Sequence, residues 1–290
     1  MERTLATRAP MRQGARMRLS IIIPAHNERK RIRPMLDAFL AHFLPAYGGG
    51  VEMIVVVNGS SDGTESVIRE YLDRHAQVKM VVIPDRIGKG GALLRGLREA
   101  RGELTGFVDA DGATAPEEFQ KLLDRIDGHG AAIASRYLPE SVVAVRQPLL
   151  RRIMSRAFNL STRLLFGLRI ADTQCGAKLM RHEVLQKVLP RLGVTQWVFD
   201  VDLLWQIRRE GFTILEVPTE WRDQPGSKVR MMSQAPEVFY ALMRLRLLYS
   251  PFRRLVLWWD GKVGRKAFEA RIMQGRMLYR EQLRRQDEQK

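Results

Sequence analysis

LTGFVDAD, residues 104–111, ends a short apolar run with two carboxylates one residue apart. Side chains at positions i and i+2 of an extended chain lie on the same face, so we expect Asp109 and Asp111 to point the same way. Two carboxylates at the carboxyl end of a strand are hard oxygen ligands for Mg²⁺ or Mn²⁺, and phosphate oxygens fill the remaining coordination positions. The stretch therefore predicts a divalent-cation site that binds a nucleoside diphosphate substrate. For an isolated Asp-x-Asp, a solvated turn is the alternative interpretation.

Length and composition indicate a globular protein. The chain has 290 residues, of which 45% are apolar, enough for one large domain or for one domain with an appendage. A single cysteine, Cys175, excludes an internal disulfide framework and a cysteine zinc cluster and fits a reducing compartment. No apolar run is long enough to span a membrane, and the arginine-rich start lacks the apolar core of a secretory signal. We therefore expect a cytoplasmic protein that does not cross a membrane.

The formal net charge of +16 is concentrated at the two ends of the chain. Residues 1–18 contain five arginines and one glutamate, and residues 229–290 contain fourteen basic and six acidic residues. Basic ends attract nucleic acid or the anionic cytoplasmic leaflet of a membrane, and charge alone does not separate the two. A solvated basic surface without a partner is the third interpretation.

Short β-rich runs alternate with helix-like segments along most of the chain. The runs are residues 19–23, 53–57, 78–83, 104–108, 131–135 and 213–217, and helices are predicted at 28–44, 64–76, 90–101 and 116–127. This alternation predicts an α/β fold with a mainly parallel central sheet flanked by helices. Ligands of such sheets bind beyond the carboxyl ends of the strands.

Polar segments follow four of the predicted strands: PAHNE at 24–28, NGSSDGT at 58–64, DRIGKGG at 85–91 and DADG at 109–112. Each one is compatible with an ordinary turn, because Gly, Asn, Asp and Ser supply turn geometry without a ligand. Four such segments in register indicate a ligand-facing rim. The third leads into a helix whose N-terminal amides could face phosphate beside Lys89. Walker-loop spacing is absent, and no Gly-x-Gly-x-x-Gly follows the first strand, which disfavours a Rossmann dehydrogenase.

Together these segments resemble the family-2 glycosyltransferases of GT-A fold, and within them the polyprenyl-phosphate hexosyltransferases typified by dolichyl-phosphate glucosyltransferase and dolichyl-phosphate mannose synthase. The resemblance covers residues 18–230. It rests on IPAHNE (23–28), GSSDGT (59–64), GKGGA (88–92), DADGAT (109–114), SRY (135–137), DTQCGAK (172–178), WVFDVD (197–202) and PGSKV (225–229). We accordingly divide the chain into a basic N-terminal arm (1–17), a GT-A domain (18–230) and a basic amphipathic helical tail (231–290).

The resemblance also implies a donor. DADGAT and DTQCG are similar to the glucosyltransferase branch, which implies UDP-glucose, with GDP-mannose as the alternative. Many relatives have two acidic residues before Gly59, where this chain has Val57 and Asn58. An Asn amide can still bond a base edge, although it is not an ionic acceptor.

The implied reaction is an inverting, metal-dependent transfer of a hexose to a polyprenyl (dolichyl-type) phosphate. Asp111, with Asp109 beside it, would hold Mg²⁺ or Mn²⁺ against the leaving diphosphate, and Asp111 is therefore also a catalytic candidate. Lys89 would add to this stabilisation. The resemblance places ten residues at the nucleotide sugar: Pro24, Ala25, Asn27, Glu28, Asn58, Asp62, Lys89, Asp109, Ala110 and Asp111.

A phosphate acceptor is largely anionic near neutral pH, so positioning cations matter more than a general base. The resemblance places Ser135, Arg136, Arg151 and Lys228 at the acceptor. Arg136 and Arg151 are also catalytic candidates, because a guanidinium is a fixed planar charge; Arg151 is alternatively one of several solvated helix charges. Asp202 is the preferred candidate for a base or an acceptor-orienting group, and Asp200 the weaker one. Either carboxylate could instead cap a helix or face solvent.

Residues 239–259 interleave aromatic residues and leucine with arginine, which is typical of an interfacial helix at anionic head groups. A membrane surface would also deliver a polyprenyl acceptor, so we expect a peripheral protein on the cytoplasmic face. Residues 149–168 have a similar composition and are a second candidate contact. Packing of the two segments on each other, or across a homo-oligomer, is the alternative.

Two rival functions remain at this stage. A nucleic-acid-binding protein would explain the charge but not the four rim segments, and no RNP, KH, zinc-finger or homeodomain pattern occurs. We therefore expect no nucleic acid partner. A soluble GT-A transferase with a non-lipid acceptor would keep the rim and ignore lipid phosphates.

Overall fold

A computed structural model describes residues 3–5, 17–144, 149–192, 198–222, 231–252, 254–256 and 258. The strands are β1 (Arg3–Leu5), β2 (Leu19–Ala25), β3 (Val51–Asn58), β4 (Val78–Ile83), β5 (Leu104–Phe107), β6 (Ala131–Ser135), β7 (Val142–Val143), β8 (Lys178–Arg181), β9 (Ile214–Pro218) and β10 (Glu220–Trp221). The α-helices are α1 (Arg29–Tyr47), α2 (Thr64–Leu72), α3 (Gly88–Glu99), α4 (Pro116–Arg125), α5 (Leu149–Phe166), α6 (His182–Val188), α7 (Phe199–Arg209) and α8 (Met231–Leu248).

Eight strands form the central sheet, in the order β1-β4-β3-β2-β5-β8-β6-β9. β2 pairs in parallel with β3 and β5, β3 with β4, and β6 with β9. β1 and β8 run antiparallel to their neighbours. The predicted α/β fold with a mainly parallel sheet is confirmed. β8 was not among the predicted strands, because two of its four residues are basic and it has no apolar run.

The apolar run of β2 is buried on both faces, as a central parallel strand requires. Ile21 and Ile23 pack into a core with side chains of α1, α2 and α4, whereas Ile22 packs into a second core with side chains of α3, α6 and α7. Burial of each such side chain stabilises the fold by about 1.5–3 kcal/mol. Helices therefore cover both faces of the sheet.

The strand order reverses at β2, which places the candidate site. The chain passes from β2 to β3 and β4 on one side and returns to β5 on the other. Loops that leave the carboxyl ends of adjacent strands on either side of such a reversal diverge and leave a crevice between them. The segments after β2, β3 and β5 all open onto this edge of the sheet.

A third core joins α5, α7 and α8. Phe166 of α5, Val201 of α7 and Leu242 and Leu245 of α8 are buried there together. The first part of the predicted tail thus packs against the body through α8, while residues 259–290 lie outside the described part of the chain. None of the helices in the described part has the length and hydropathy that a membrane crossing needs.

Candidate active site

A cluster of charged side chains lies at the carboxyl end of β5. Lys89, in the first turn of α3, forms an ion pair with Asp109, and both side chains are partly open to solvent. Burial lowers the pKa of Lys89, but the charges of Asp109 and Asp200 outweigh that effect and raise the pKa above its usual value. The charge of Asp111 also raises the pKa of Lys89. The structure therefore brings Asp109, Asp111 and Asp200 within electrostatic reach of Lys89.

Asp109 and Asp111 form the acidic pair that the sequence predicts. Asp111 Oδ1 accepts a hydrogen bond from the backbone N–H of Ala113 at 3.0 Å. Burial and the charge of Asp109 raise the pKa of Asp111 above its usual value, against smaller opposing effects of the Ala113 hydrogen bond, Arg31 and Lys89. Two carboxylates that repel each other in this way are a donor set for a hard divalent cation.

The pair would leave most of the coordination shell of such a cation open. Among the residues that the structure describes, no three or more His, Cys, Asp and Glu side chains are grouped to hold a metal. Phosphate oxygens and water would therefore complete the coordination shell of a cation bound by Asp109 and Asp111. Mg²⁺ bound with a nucleotide usually has such a shell. The residues present fit the predicted Mg²⁺ or Mn²⁺.

Residues 171–177 form a loop that borders the acidic pair and is fixed at its start by a buried ion pair. Arg136 donates to Asp172 through Nε at 2.7 Å and through Nη2 at 2.9 Å, and its backbone N–H donates to the same carboxylate at 3.0 Å. Burial alone would raise the pKa of Asp172, but the Arg136 guanidinium holds it below its usual value. Arg136 also lies 5.1 Å from the centre of the Trp221 ring. Most of the guanidinium predicted to bind the acceptor phosphate is thus engaged by Asp172.

Two further side chains hold the same loop, and sequence reasoning missed both. The Glu216 carboxylate of β9 accepts from the backbone N–H of Ala171 at 2.9 Å and of Asp172 at 3.2 Å. Asn159 Oδ1 of α5 accepts from the backbone N–H of Thr173 at 3.1 Å and from its hydroxyl at 2.8 Å. Neither residue lies in a recognisable motif, and only the fold brings them to the loop.

Lys178 connects the end of this loop to Asp200. Its Nζ donates to Asp200 Oδ1 at 2.7 Å and to the carbonyl of Cys175 at 2.7 Å, and its side chain is 1% exposed. The Lys178 ammonium also lies 5.3 Å from the centre of the Phe107 ring. Asp200 is thereby held in the first turn of α7, within electrostatic reach of Lys89.

Asp200 and Asp202, the two carboxylates predicted near the acceptor, lie in different surroundings. Asp202 is fully buried and accepts a hydrogen bond from the Tyr249 hydroxyl at 2.8 Å. Residues two positions apart on an α-helix lie on nearly opposite sides. Asp202 accordingly faces the third core, and Asp200 faces the crevice at the carboxyl edge of the sheet. Asp202 therefore secures α7 to the segment after α8, whereas Asp200 lies within electrostatic reach of Lys89.

The loops after β2 and β3 are joined by the polar residues predicted on the nucleoside side. Asn27, at a φ of 55°, accepts from the backbone N–H of Ser61 at 2.8 Å. Asp62 accepts from the backbone N–H groups of Arg29 at 3.1 Å and Thr64 at 3.0 Å. Burial raises the pKa of Asp62, but the hydrogen bonds from Thr64 and Arg29 bring it below its usual value. Both side chains thus shape the rim by fixing its backbone.

Asn58 has the same kind of role. Its side chain accepts from the backbone N–H of Ile87 at 2.8 Å, and its amide lies 3.4 Å from the Gly88 carbonyl. Asn58 is 3% exposed, and these contacts position the segment that leads to Lys89. Glu28, also predicted at the nucleoside, pairs with Arg31 at 2.6 Å.

The remaining predicted residues contribute in other ways or lie outside the residues that the structure describes. Ala25 and Ala110 are buried, and Pro24 is partly buried, so these residues shape the rim mainly through their backbone. Ser135 is also buried, and its hydroxyl has no hydrogen-bond partner among the described residues. Lys228 and the side chain of Arg151 lie outside the part of the chain that the structure describes.

Comparison with known proteins matches the chain to one family. The model of glycosyl transferase family 2 matches residues 20–189. The dolichyl-phosphate beta-glucosyltransferase of Drosophila melanogaster is 36% identical over 228 residues, which cover 73% of this chain and 69% of that protein. The dolichyl-phosphate beta-glucosyltransferase of Dictyostelium discoideum is 31% identical over 244 residues, which cover 80% of this chain and 74% of that protein. The chain thus spans about two thirds to three quarters of the length of these relatives.

Solved structures match the fold. Glucosyl-3-phosphoglycerate synthase from Mycobacterium tuberculosis, in complex with UDP, superposes with a TM-score of 0.60 at 22% identity, covering 79% of this chain and 80% of that one. The mannosyltransferase PcManGT from Pyrobaculum calidifontis, in complex with GDP-Man and Mn²⁺, gives a TM-score of 0.56 at 21% identity, covering 82% of this chain and 66% of that one. These likenesses confirm the predicted GT-A fold.

Proposed function

Because the chain belongs to glycosyl transferase family 2, we propose that it transfers glucose from UDP-glucose to a polyprenyl phosphate of the dolichyl type. The observation that carries the proposal is the cluster of Lys89, Asp109, Asp111 and Asp200 at the carboxyl edge of the sheet. The relatives named dolichyl-phosphate beta-glucosyltransferases support the donor sugar and the acceptor.

Asp109 and Asp111 are the proposed ligands of a divalent cation, Mg²⁺ or Mn²⁺. When bound, the cation supplies a Lewis acid that neutralises charge on the departing diphosphate. Lys89 already lies against Asp109 and adds a second positive charge at the same place. The ammonium is protonated at neutral pH, as that of lysine ordinarily is. The Mn²⁺ in the complex of the Pyrobaculum mannosyltransferase supports a cation in this fold.

The proposed reaction is one displacement at the anomeric carbon. An oxygen of the acceptor phosphate forms a bond to that carbon while the bond to the diphosphate oxygen breaks and UDP leaves. UDP-glucose carries an α-linked sugar, so a β-linked product requires inversion. A phosphate acceptor near neutral pH already carries the negative oxygen that attacks, and the chain therefore needs no general base for this step.

Asp200 has a different proposed role. Its carboxylate is fixed by Lys178 and lies in the same cleft as the acidic pair. A hexose presents several hydroxyl donors, and a carboxylate accepts strongly from them. Asp200 would therefore orient the transferred glucose for attack.

The proposed acceptor also implies a location. A polyprenyl chain resides in a bilayer, so the protein would work as a peripheral protein on the cytoplasmic face of a membrane, where nucleotide sugars are available. The basic ends of the chain support contact with an anionic leaflet. A homo-oligomer would be compatible with this arrangement.

A matrix of donors and acceptors tests the proposal. UDP-glucose, UDP-galactose and GDP-mannose, each radiolabelled in the sugar, are incubated with dolichyl phosphate, undecaprenyl phosphate and a soluble phosphate such as 3-phosphoglycerate. We expect label in the lipid phase with UDP-glucose as the best donor. Preferential transfer from GDP-mannose would overturn the donor, and transfer only to the soluble acceptor would overturn the lipid.

A further inference from the structure

Large apolar side chains that are exposed to solvent are concentrated on one part of the described structure. Of twelve such side chains, four lie on α5, seven lie between residues 239 and 258, and only Val142 lies elsewhere. Monomeric soluble proteins scatter such residues singly, and a concentration of them marks an interaction surface.

On α5 the exposed apolar residues share one side of the helix. Leu150, Ile153, Leu160 and Leu164 are 46% to 75% exposed, and their spacing places them on a single face. Arginines 152, 156 and 163 are also exposed and lie along one flank of that face, while Ser155, Asn159 and Thr162 are buried on the opposite side. The buried side of the helix thus combines these polar residues with Phe166 of the third core, while the exposed side is apolar and flanked by arginine.

The segment that includes α8 has the same organisation. Leu242 and Leu245 are buried in the third core, and the exposed apolar residues follow on the other side of the helix and beyond it: Phe239, Tyr240, Met243, Leu247, Phe252, Leu255 and Trp258. Because α5 and α8 pack against each other, their exposed faces are neighbours on the surface. We call the exposed apolar residues of α5 and of 239–258, together, the outer surface.

The charges around the outer surface are mainly positive. α5 contains four arginines and no acidic residue, and α8 contains two arginines and a single acidic residue, Glu237. Arg246 and Arg254 are exposed beside the apolar residues of 239–258. Apolar side chains flanked by arginine match acyl chains beneath anionic head groups, whereas a second copy of this chain would bring like charges together.

We propose that the outer surface lies on an anionic lipid bilayer, with its apolar side chains among the acyl chains and its arginines at the phosphates. This inference rests on the proposed function for its biological purpose, because a lipid-linked acceptor must be reached at the bilayer.

The position of α5 connects this surface to the acceptor side of the site. Asn159 holds Thr173 in the loop beside Asp109, and the Tyr137 hydroxyl donates to the Ser155 hydroxyl at 2.8 Å. Tyr137 follows Arg136, the partner of Asp172. A phosphate that leaves the bilayer beside α5 would thus have a short path to the cleft.

Vesicle sedimentation tests the inference with the full-length protein. Vesicles of phosphatidylcholine are compared with vesicles of equal parts phosphatidylcholine and phosphatidylglycerol, for the wild type and for Leu160→Glu, Leu164→Glu and Phe252→Glu. Each substitution puts a charge on an exposed position, so the melting temperature should stay near that of the wild type. Val142→Glu is the matched control, because Val142 is 55% exposed but lies outside the outer surface.

We expect the wild type to bind the anionic vesicles, with weaker binding at higher salt, and each outer-surface variant to bind at least about tenfold more weakly, since each loses the burial of one large apolar side chain. Val142→Glu should bind like the wild type. Equal vesicle binding by all variants would overturn the inference. So would a wild-type dimer in sedimentation velocity that Leu164→Glu converts to a monomer without a change in vesicle binding.

The two proposals fail separately. A protein that binds anionic vesicles through the outer surface but transfers no sugar to lipid phosphate would remove the proposed function and leave the docking surface. Transfer to dolichyl phosphate in detergent, together with unchanged vesicle binding by the variants, would remove the docking surface and leave the proposed function.

Discussion

Gly176 lies against the carboxylate of Asp109, so closely that a Cβ on Gly176 would fall 2.8 Å from Asp109 Cγ and overlap Oδ2. The loop of residues 171–177 therefore forms one wall of the proposed cation site. The position of that wall depends on the ion pair of Asp172 with Arg136 and on the hydrogen bonds from the loop to Glu216 and Asn159.

Gly176→Ala should impair catalysis without unfolding the protein. The added methyl group would displace the Asp109 carboxylate, and a displacement of about 1 Å at a catalytic group costs up to about 100-fold in rate. We expect kcat to fall about 10- to 100-fold and Mn²⁺ to bind more weakly in calorimetry. Gly49→Ala is the matched control, because nothing lies within 4 Å of its added Cβ. Wild-type kcat in Gly176→Ala would show that the loop does not set Asp109.

Asp172→Asn should destabilise the fold. The substitution leaves the Arg136 guanidinium, whose side chain is 12% exposed, without its partner charge, and loss of one member of a buried pair typically costs about 3–5 kcal/mol. Urea unfolding of both proteins at pH 7 measures this difference.

The same pair of proteins gives a pH test. The pKa of Asp172 is below its usual value in the folded state, so its contribution is fully present above the ordinary pKa of an aspartate and is lost as the pH falls through the folded value. The stability gap between wild type and Asp172→Asn should therefore close only in acid. A gap that is absent at pH 7 would argue against the ion pair.

Asp200→Asn and Asp202→Asn should separate catalysis from packing. We expect Asp200→Asn to lower kcat per folded molecule at least about 10-fold, as for removal of a group that orients the substrate. Asp202→Asn should retain near wild-type kcat, because its amide oxygen still accepts from the Tyr249 hydroxyl. Steady-state kinetics with UDP-glucose, corrected for the folded fraction by circular dichroism, makes the comparison. Greater loss in Asp202→Asn would restore the preference that the sequence suggested.

Cys175 should be unreactive in the native protein. Its side chain is fully buried, and burial raises the pKa of the thiol to about 11. A thiolate is the reactive form, so modification by a disulfide reagent at pH 8 should require unfolding. The modification rate should therefore follow the urea-unfolding curve. Rapid labelling of folded protein would mean that residues 171–177 open independently of the body.

The sequence predicted the sheet and the rim because both depend on local patterns. Apolar runs such as residues 19–23 mark buried parallel strands, and the polar segments behind them mark the ligand edge. Asp109 and Asp111 were found for the same reason, since their period of two is readable directly. The antiparallel strand β8 was missed because a lysine is not expected in a buried strand. Lys178 is buried only because it forms an ion pair with Asp200, and no local sequence pattern indicates that pair.

The roles of single polar residues were harder to predict. Asn58 and Asp62 were expected at the nucleoside, and the structure shows that they fix loop backbone. Arg136 was expected at the acceptor phosphate, but its main partner, Asp172, is 36 residues away in sequence. Helical periodicity shows that Asp200 and Asp202 cannot face the same side, but which of them faces Lys89 depends on how α7 packs, and no local pattern gives that.

The most direct test of the central claim is the formation of glucosyl lipid by the purified protein, measured as chloroform-soluble radiolabel from UDP-glucose and dolichyl phosphate. We expect product with Mn²⁺ or Mg²⁺, none with excess EDTA, recovery when Mn²⁺ is restored, and at least about a 100-fold loss in Asp111→Asn, whose fold is checked by its melting temperature. Undiminished product in excess EDTA, or in folded Asp111→Asn, would contradict the claim that the acidic pair after β5 is the catalytic cation site.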